Sequence, residues 1–253
     1  MKVTVLGCGS SGGVPLIGGN WGTCDPANPR NRRTRVSILV ETSDTTLLVD
    51  TTPDMRDQLL GCGLQKLDAV LYTHAHADHC HGIDDLRSVN WMTKKPVDVY
   101  ADALTMEILA RKFDYIFEAK KSGAFYVPSI VLNEICGAFS VGDIGVVPFQ
   151  QEHGYSTSMG YRFGDLAYST DVHSLDSAAL EALRGVKTWI IDCVRLEPHP
   201  THLHLAQTLA YIEQVRPERA YLTHMSHTLD YETLAASLPA GVAPAYDGLV
   251  IEC

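Results

Sequence analysis

Thr73-His74-Ala75-His76-Ala77-Asp78-His79 is the stretch that decides the fold of this 253-residue chain. It directly follows the strand-like run 67–72 and offers imidazoles and a carboxylate, which are ligands that zinc, manganese and iron accept in proteins. The small residues Ala75 and Ala77 let the backbone turn tightly, so that the polar side chains can converge. On its own, the stretch also fits a polar loop after a strand or a cluster of surface histidines.

The pattern of a strand followed by a metal-binding side chain recurs further along the chain. His153 comes shortly after an apolar run, Asp171 follows a second run, and His224 ends a third. In α/β proteins, ligands bind at strand ends, where loops converge over a rigid sheet. A single histidine in such a place is more often structural, but the repeated coincidence predicts a metal site.

The glycine-rich segment VLGCGSSGGV, residues 5–14, carries two competing motifs. Gly7–Gly12 spells the G-x-G-x-x-G of a dinucleotide fold, and Gly9–Gly13 spells the G-x-S-x-G elbow of a serine hydrolase. Both motifs require a helix directly afterwards, whereas proline and further glycines follow here and disfavour one. The segment therefore predicts a loop that borders the site, with backbone amides able to donate to phosphate oxygens.

Whole-chain composition narrows the classes of protein and partner. The formal net charge of −10 argues against a large nucleic-acid footprint, and no apolar run is long enough to span a membrane. The seven cysteines form no C-x-x-C pair and no signal peptide is visible, so we expect a cytoplasmic protein. A homodimer is left open.

Strand-like and helical patterns alternate along the chain without a Pro/Ser-rich linker. The pattern predicts a single α/β domain over residues 1–253, built on two sheets. One strand is expected over residues 161–169, and one helix over residues 103–117.

The sequence resembles the metallo-β-lactamase-fold hydrolases, whose signature is H-x-H-x-D-H after a strand with later His, Asp and His ligands. The resemblance implies an αββα four-layer sandwich with two divalent metal ions, zinc or manganese, at one edge. By position, one ion is held by His74, His76 and His153, and the other by Asp78, His79 and His224. Asp171 bridges the two ions, and Asp50 lies beside the site, behind the ligands.

Within that superfamily, the chain is similar to the cyclic-phosphate phosphodiesterases of the carbon–phosphorus lyase pathway. The similarity rests on Gly7–Pro15, on Pro29–Arg33, on Leu222–His227 and on Tyr246–Leu249. It implies that His202 is catalytic together with the ligand Asp78, and that His227 lies close to the site. Those enzymes hold a structural zinc with three cysteines and a histidine, whereas this sequence offers Cys24 and His227 in that region, so no structural zinc is expected.

Phosphodiester hydrolysis suits the expected pair of metals, because two ions clamp the attacking and leaving oxygens and a metal-bound hydroxide serves as nucleophile. The expected substrate is a small, cyclic phosphodiester of nucleotide-like or ribose-phosphate-like structure. A basic loop provides side chains that could bind phosphate, namely Arg30, Arg32, Arg33 and Arg35. The same four arginines are equally consistent with a solvated surface loop or with ion pairs inside the protein. The alternative functions are a tRNA 3′-end-processing endonuclease and a thioester hydrolase of the same fold.

Overall fold

The computed structural model describes residues 1–117 and 128–253, and their strands form two seven-stranded sheets. The strands are β1 (Lys2–Gly7), β2 (Ser37–Glu41), β3 (Thr46–Val49), β4 (Ala69–Leu71), β5 (Val97–Ala101), β6 (Ile130–Glu134), β7 (Phe139–Val141), β8 (Ile144–His153), β9 (Ser156–Phe163), β10 (Leu166–Ser169), β11 (Thr188–Asp192), β12 (Arg219–Thr223), β13 (Val242–Pro244) and β14 (Leu249–Glu252). The first sheet has the order β14-β1-β2-β3-β4-β5-β6, and the second has the order β13-β12-β11-β10-β9-β8-β7.

Helices lie between the strands in both halves of the chain. They are α1 (Met55–Gly61), α2 (Ala77–Cys80), α3 (Leu86–Thr93), α4 (Ala103–Lys112), α5 (Asp114–Phe117), α6 (Ser177–Ala182), α7 (Leu205–Val215) and α8 (Tyr231–Ser237), with short 3-10 helices at Pro29–Asn31 and Ile83–Asp85. In the part of the chain that is described, no helix is long and apolar enough to cross a bilayer.

The main hydrophobic core lies between the two sheets, and alternation along the strands assigns the residues to it. In β3, Leu47 and Val49 belong to this inter-sheet core, whereas Leu48 between them packs with side chains of α1, α3 and α4. Both faces of the strand are therefore buried, which explains its continuous apolar sequence. Side chains of α6, α7 and α8 join the core on the side of the second sheet. The result is the αββα sandwich that the sequence predicts.

The parallel part of each sheet carries the ends of strands to one edge of the sandwich. β3, β4, β5 and β6 run parallel to one another, as do β10, β11, β12 and β13. Three polar residues just beyond these strands adopt left-handed backbone angles, with φ of 65° at Asp50, 54° at Asp171 and 57° at His224. Non-glycine residues rarely occupy this region, and such strain is concentrated at functional sites.

The structure differs from the sequence-based expectation in two elements. Residues 161–169 form the end of β9 and all of β10 rather than one strand, and they are joined by a turn at Gly164 and Asp165. Gly164 has a φ of 58°, which a glycine adopts without steric cost and which a tight hairpin requires. The expected helix 103–117 is interrupted at Phe113, whose backbone leaves the helical region.

Candidate metal centre

The structure brings together all the side chains that the sequence singled out as metal ligands. A third group, Asp192, His202 and His224, adjoins the two groups that contain the predicted ligands. One of these two consists of His74, His76, His153 and Asp171, and the other of Asp78, His79, Asp171 and His224. Within each group, the candidate ligand atoms lie within 4.8 Å of one another. Asp171 is a member of both groups, so its carboxylate occupies the position expected of a bridging ligand.

The polar atoms of this cluster fit a divalent cation better than they fit one another. Nε2 of His224 is buried and has no hydrogen-bond partner among the described residues, and Nε2 of His79 lies 3.1 Å from Oδ2 of Asp171 without the geometry of a hydrogen bond. Nε2 of His74 lies only 2.8 Å from Nδ1 of His76, so two ring nitrogens compete for one proton. A buried nitrogen without a partner costs free energy, and binding to a metal removes that cost.

The electrostatics of the cluster favour positive charge at its centre. Burial by itself raises the pKa of the Asp171 carboxyl, but the charges of His224 and His79 outweigh it and hold the pKa well below its usual range. Burial lowers the pKa of His224, yet Asp171 and Asp192 raise it to about 10. The carboxylates therefore stabilise a cation here, and a metal ion can take that place while the imidazoles are neutral.

Hydrogen bonds behind the ligands fix which ring nitrogen faces the centre. Nδ1 of His79 lies 2.7 Å from Oδ2 of Asp50, whose carboxylate also accepts the amide and hydroxyl hydrogens of Thr73. Nδ1 of His153 donates to the Thr201 carbonyl at 2.8 Å. Such bonds orient the ring and leave Nε2 for the metal, as in other metal sites. Asp50 thus lies where the sequence placed it.

Asp192 is a part of the site that the sequence reasoning missed. It is fully buried at the end of β11, with one carboxylate oxygen 3.2 Å from Nδ1 of His202 and the other 3.4 Å from Nδ1 of His224. A signal was present in the sequence, because the apolar run Trp189–Ile191 ends in this aspartate just as other strands end in ligands.

His202 lies beside the ligand cluster, as the sequence predicts. Its ring stacks on His224 with a centroid separation of 4.6 Å and meets the ring of His153 edge-on at 4.7 Å. Nε2 of His202 is 3.9 Å from Oδ1 of Asp171, and the side chain is 12% exposed. The Nδ1 side faces Asp192, so the Nε2 side is directed toward the centre.

The basic loop is largely occupied by contacts within the chain. Arg33 is 2% exposed, and its guanidinium donates to the carbonyls of Ser226 and Leu229 at 3.1 and 2.7 Å. The expectation of a substrate contact is therefore wrong for Arg33, because buried carbonyls take its hydrogen bonds. Arg35 is engaged as well, through an ion pair of 2.9 Å with Asp54.

The other two arginines of the loop are held against aromatic rings. The guanidinium carbon of Arg30 lies 4.9 and 5.0 Å from the ring centres of Tyr231 and Tyr246. That of Arg32 lies 5.4 Å from the ring centre of Trp21. These are cation–π contacts, which fix the direction of both side chains. A role of Arg30 or Arg32 in binding substrate stays a prediction.

The backbone of the glycine-rich loop holds the turn that carries His224, one of the candidate metal ligands. The amide of Ser10 donates to the carbonyl of Met225, and the amide of Met225 donates to the carbonyl of Cys8. Met225 directly follows His224, so these bonds hold the turn that carries the ligand. Gly9 donates to the carbonyl of Thr34 on the other side, and these amides are therefore not available to a phosphate.

His227 packs beside the segment that carries Cys24. A side chain at Gly22 would lie 2.4 Å from Cδ2 of His227, so the imidazole packs against this glycine. The carbonyl of His227 accepts the amide hydrogen of Thr23. A role of His227 beside the metal ligands stays a prediction. The Cys24 thiol, in the same region, donates to the carbonyl of Leu229 at 3.4 Å.

Comparison with known proteins agrees with this geometry. Residues 45–225 match the family model described as the beta-lactamase superfamily domain. The chain belongs to the beta-lactamase superfamily. A crystal structure of a diphosphatase from the PhnP family is 36% identical, superposes with a TM-score of 0.90, and is matched over 100% of this chain and 97% of that one. This confirms a hydrolase of the metallo-β-lactamase fold that resembles PhnP, and with the ligand clusters it supports a metal-dependent enzyme.

Two further relatives extend the comparison. An octanoyltransferase of Porphyromonas gingivalis is 33% identical over 258 residues, which cover 98% of this chain and 51% of the relative. This chain thus spans about half the length of that protein. Zinc-bound PqqB from Methylobacterium extorquens shares the fold at 22% identity, with a TM-score of 0.76 and complete coverage of both chains.

The contact between Asp50 and His79 leads to a prediction about metal affinity. Asp50→Asn places an amide where a carboxylate accepts three hydrogen bonds, so His79 loses its orientation and part of its basicity. We expect about 10- to 100-fold weaker metal binding, measured by competition with a chromogenic chelator. Asp165→Asn, which removes an exposed ion pair with Lys187, is the control and should leave the affinity unchanged. Equal affinities for both variants would contradict the role of Asp50.

The burial of Arg33 leads to a prediction about stability. Arg33→Met removes the guanidinium hydrogen bonds to the carbonyls of Ser226 and Leu229, which keep only the longer bonds from the Leu229 amide and the Cys24 thiol. A hydrogen bond to a charged group contributes about 1.5–3 kcal/mol, and the remaining bonds offset part of the loss. We expect the free energy of unfolding in urea to fall by about 2–4 kcal/mol. Arg32→Met removes an exposed cation–π contact and should cost about 0.5–1 kcal/mol. If the two variants are equally stable, Arg33 is not the structural residue that its contacts indicate.

Proposed function

We propose that this protein hydrolyses small phosphodiesters with two divalent cations, zinc or manganese. The observation that carries the proposal is the position of Asp171, whose carboxylate belongs to both groups of candidate ligands. A pair of bound cations supplies an activated water molecule and stabilises charge on the attacking and leaving oxygens of a phosphoryl centre. Imidazole and carboxylate ligands accept either metal.

The residues around His202 support proton donation to the leaving oxygen. Nδ1 of His202 lies 3.2 Å from a carboxylate oxygen of Asp192, which accepts its hydrogen, and Nε2 lies on the side of Asp171. The buried carboxylate of Asp192 holds the ring in this orientation, in the way that an aspartate orients a catalytic histidine in hydrolases. His202 then acts as a general acid, which an alkoxide leaving group needs.

The comparisons support phosphorus chemistry without naming the substrate. A relative at 36% identity is a diphosphatase, a class of enzyme that breaks phosphorus–oxygen bonds. Cleavage of tRNA 3′ ends and hydrolysis of thioesters remain the alternative functions. The octanoyltransferase relative, twice the length of this chain, makes an octanoyl thioester the appropriate acyl compound to test.

A substrate panel tests the proposed function directly. Protein reconstituted with zinc or with manganese should hold two ions per chain by elemental analysis and should hydrolyse bis(p-nitrophenyl) phosphate. We expect no comparable turnover of an octanoyl thioester or of precursor tRNA. Asp171→Ala should lose both metal binding and turnover, because its carboxylate is shared. Rapid cleavage of the thioester or of precursor tRNA, without hydrolysis of bis(p-nitrophenyl) phosphate, would overturn the proposal.

The general-acid role of His202 predicts a dependence on the leaving group. His202→Ala should retain both metal ions and lose about 10²–10⁴ in turnover for an alkyl phosphodiester. The loss should be much smaller for p-nitrophenolate, which leaves without a proton. His204→Ala is the control, because the His204 ring contacts Gln207 at the start of α7 rather than the ligands. An equal loss with both leaving groups would show positioning instead of proton transfer.

A further inference from the structure

The contacts of the basic loop do not identify the positively charged side chain that binds a negatively charged substrate. Arg33 and Arg35 are engaged inside the chain, and the centre itself is rich in carboxylates. A substrate with more than one phosphate brings additional negative charge toward those carboxylates. Such a substrate therefore requires a positive side chain at the mouth of the centre.

Lys112, the last residue of α4, is placed at this position. Its ammonium donates to the carbonyl of Ala75 at 2.6 Å, and Ala75 lies between the ligands His74 and His76. Of the lysines and arginines among the described residues, Lys112 is the one whose side chain forms a hydrogen bond with the segment 73–79. No comparable cation was indicated by the sequence, because Lys112 is distant from the motif along the chain.

Two observations indicate that Lys112 lies at the open side of the centre. His76 is exposed, whereas His74 and His153 are buried, so the centre opens on the side of His76. Phe113, next to Lys112, meets the ring of His81 edge-on at 5.7 Å, directly after the short helix α2. The end of α4 is thus fixed at two points, by the carbonyl of Ala75 next to the exposed His76 and by the ring of His81.

We propose that Lys112 binds a second phosphate of the substrate, adjacent to the scissile one. The inference rests on the proposed function and adds a class of substrate, namely one in which the scissile phosphate is joined to another phosphate. A lysine ammonium has three N–H donors, and the Ala75 carbonyl uses one of them. The remaining donors suit phosphate oxygens, for which lysine acts as a compact point charge.

Binding of ADP and AMP to the metal-loaded protein tests the proposal without turnover. The two ligands share the nucleoside and differ by one phosphate, and their dissociation constants can be measured by calorimetry. Lys112→Met should weaken the binding of ADP about 10- to 100-fold, which corresponds to one lost charge-assisted hydrogen bond. It should change the dissociation constant of AMP less than about threefold. Lys112→Arg, which keeps the charge, should recover most of the ADP affinity.

Arg111→Met is the matched control, because it removes one positive charge from the same turn of α4. It should leave both ligands within about twofold of wild type. Metal content and hydrolysis of bis(p-nitrophenyl) phosphate should also match wild type in Arg111→Met.

Three results would overturn the proposal. Equal weakening of ADP and AMP, or a loss of bound metal, would show that Lys112 only holds the ligand segment in place. An effect of Arg111→Met as large as that of Lys112→Met would show a general effect of charge. Because binding is measured separately, an inactive wild type that still prefers ADP would reject the phosphodiesterase assignment and keep the role of Lys112.

Discussion

The carboxylate of Asp171 is the constraint on which the rest of the centre depends. It follows β10 in the left-handed region and is approached by histidines from both sheets. An aspartate in that conformation costs of order 1–3 kcal/mol, so the surrounding structure must enforce it. Burial of the carboxylate among neutral imidazoles alone would cost more, whereas bound cations offset it. The position of Asp171 therefore connects backbone strain, burial and metal binding.

Two further buried aspartates orient the histidines around that carboxylate. Asp50 holds His79 from the first sheet, and Asp192 holds both His202 and His224 from the second. Each histidine contacts its aspartate through Nδ1, so Nε2 faces the centre in all three rings. The two sheets thus contribute equivalent arrangements. In each, an aspartate at the end of a strand lies behind a histidine that faces the centre. This arrangement fixes which nitrogen of each ring is available to a metal.

The ligands were predictable from the sequence because each follows a recognisable strand. The periodicity predicted an α/β domain on two sheets, and the family resemblance implied the αββα sandwich. Asp192 follows the same rule but has no histidine beside it in sequence, so it resembles an ordinary strand end. Arg33 could not be predicted, since an arginine in a glycine- and proline-rich segment resembles a solvent-exposed residue. Its burial is decided by Leu229, which is 196 positions away along the chain. Long-range contacts of this kind leave no local pattern.

The glycine-rich loop spells the motifs of a dinucleotide fold and of a serine hydrolase, but its glycines serve packing and the position of a candidate metal ligand. Gly9 lies so close to Arg33 and Thr34 that a β-carbon there would be 2.9 Å from their atoms, which requires glycine for a reason of packing. The same loop bonds to Met225 and so connects the segment that carries His224 to the first sheet. Arg33 reinforces that connection through Ser226. The ligands of the second sheet are therefore aligned with those of the first by the backbone, which places the candidate metal ligands on rigid elements of the fold.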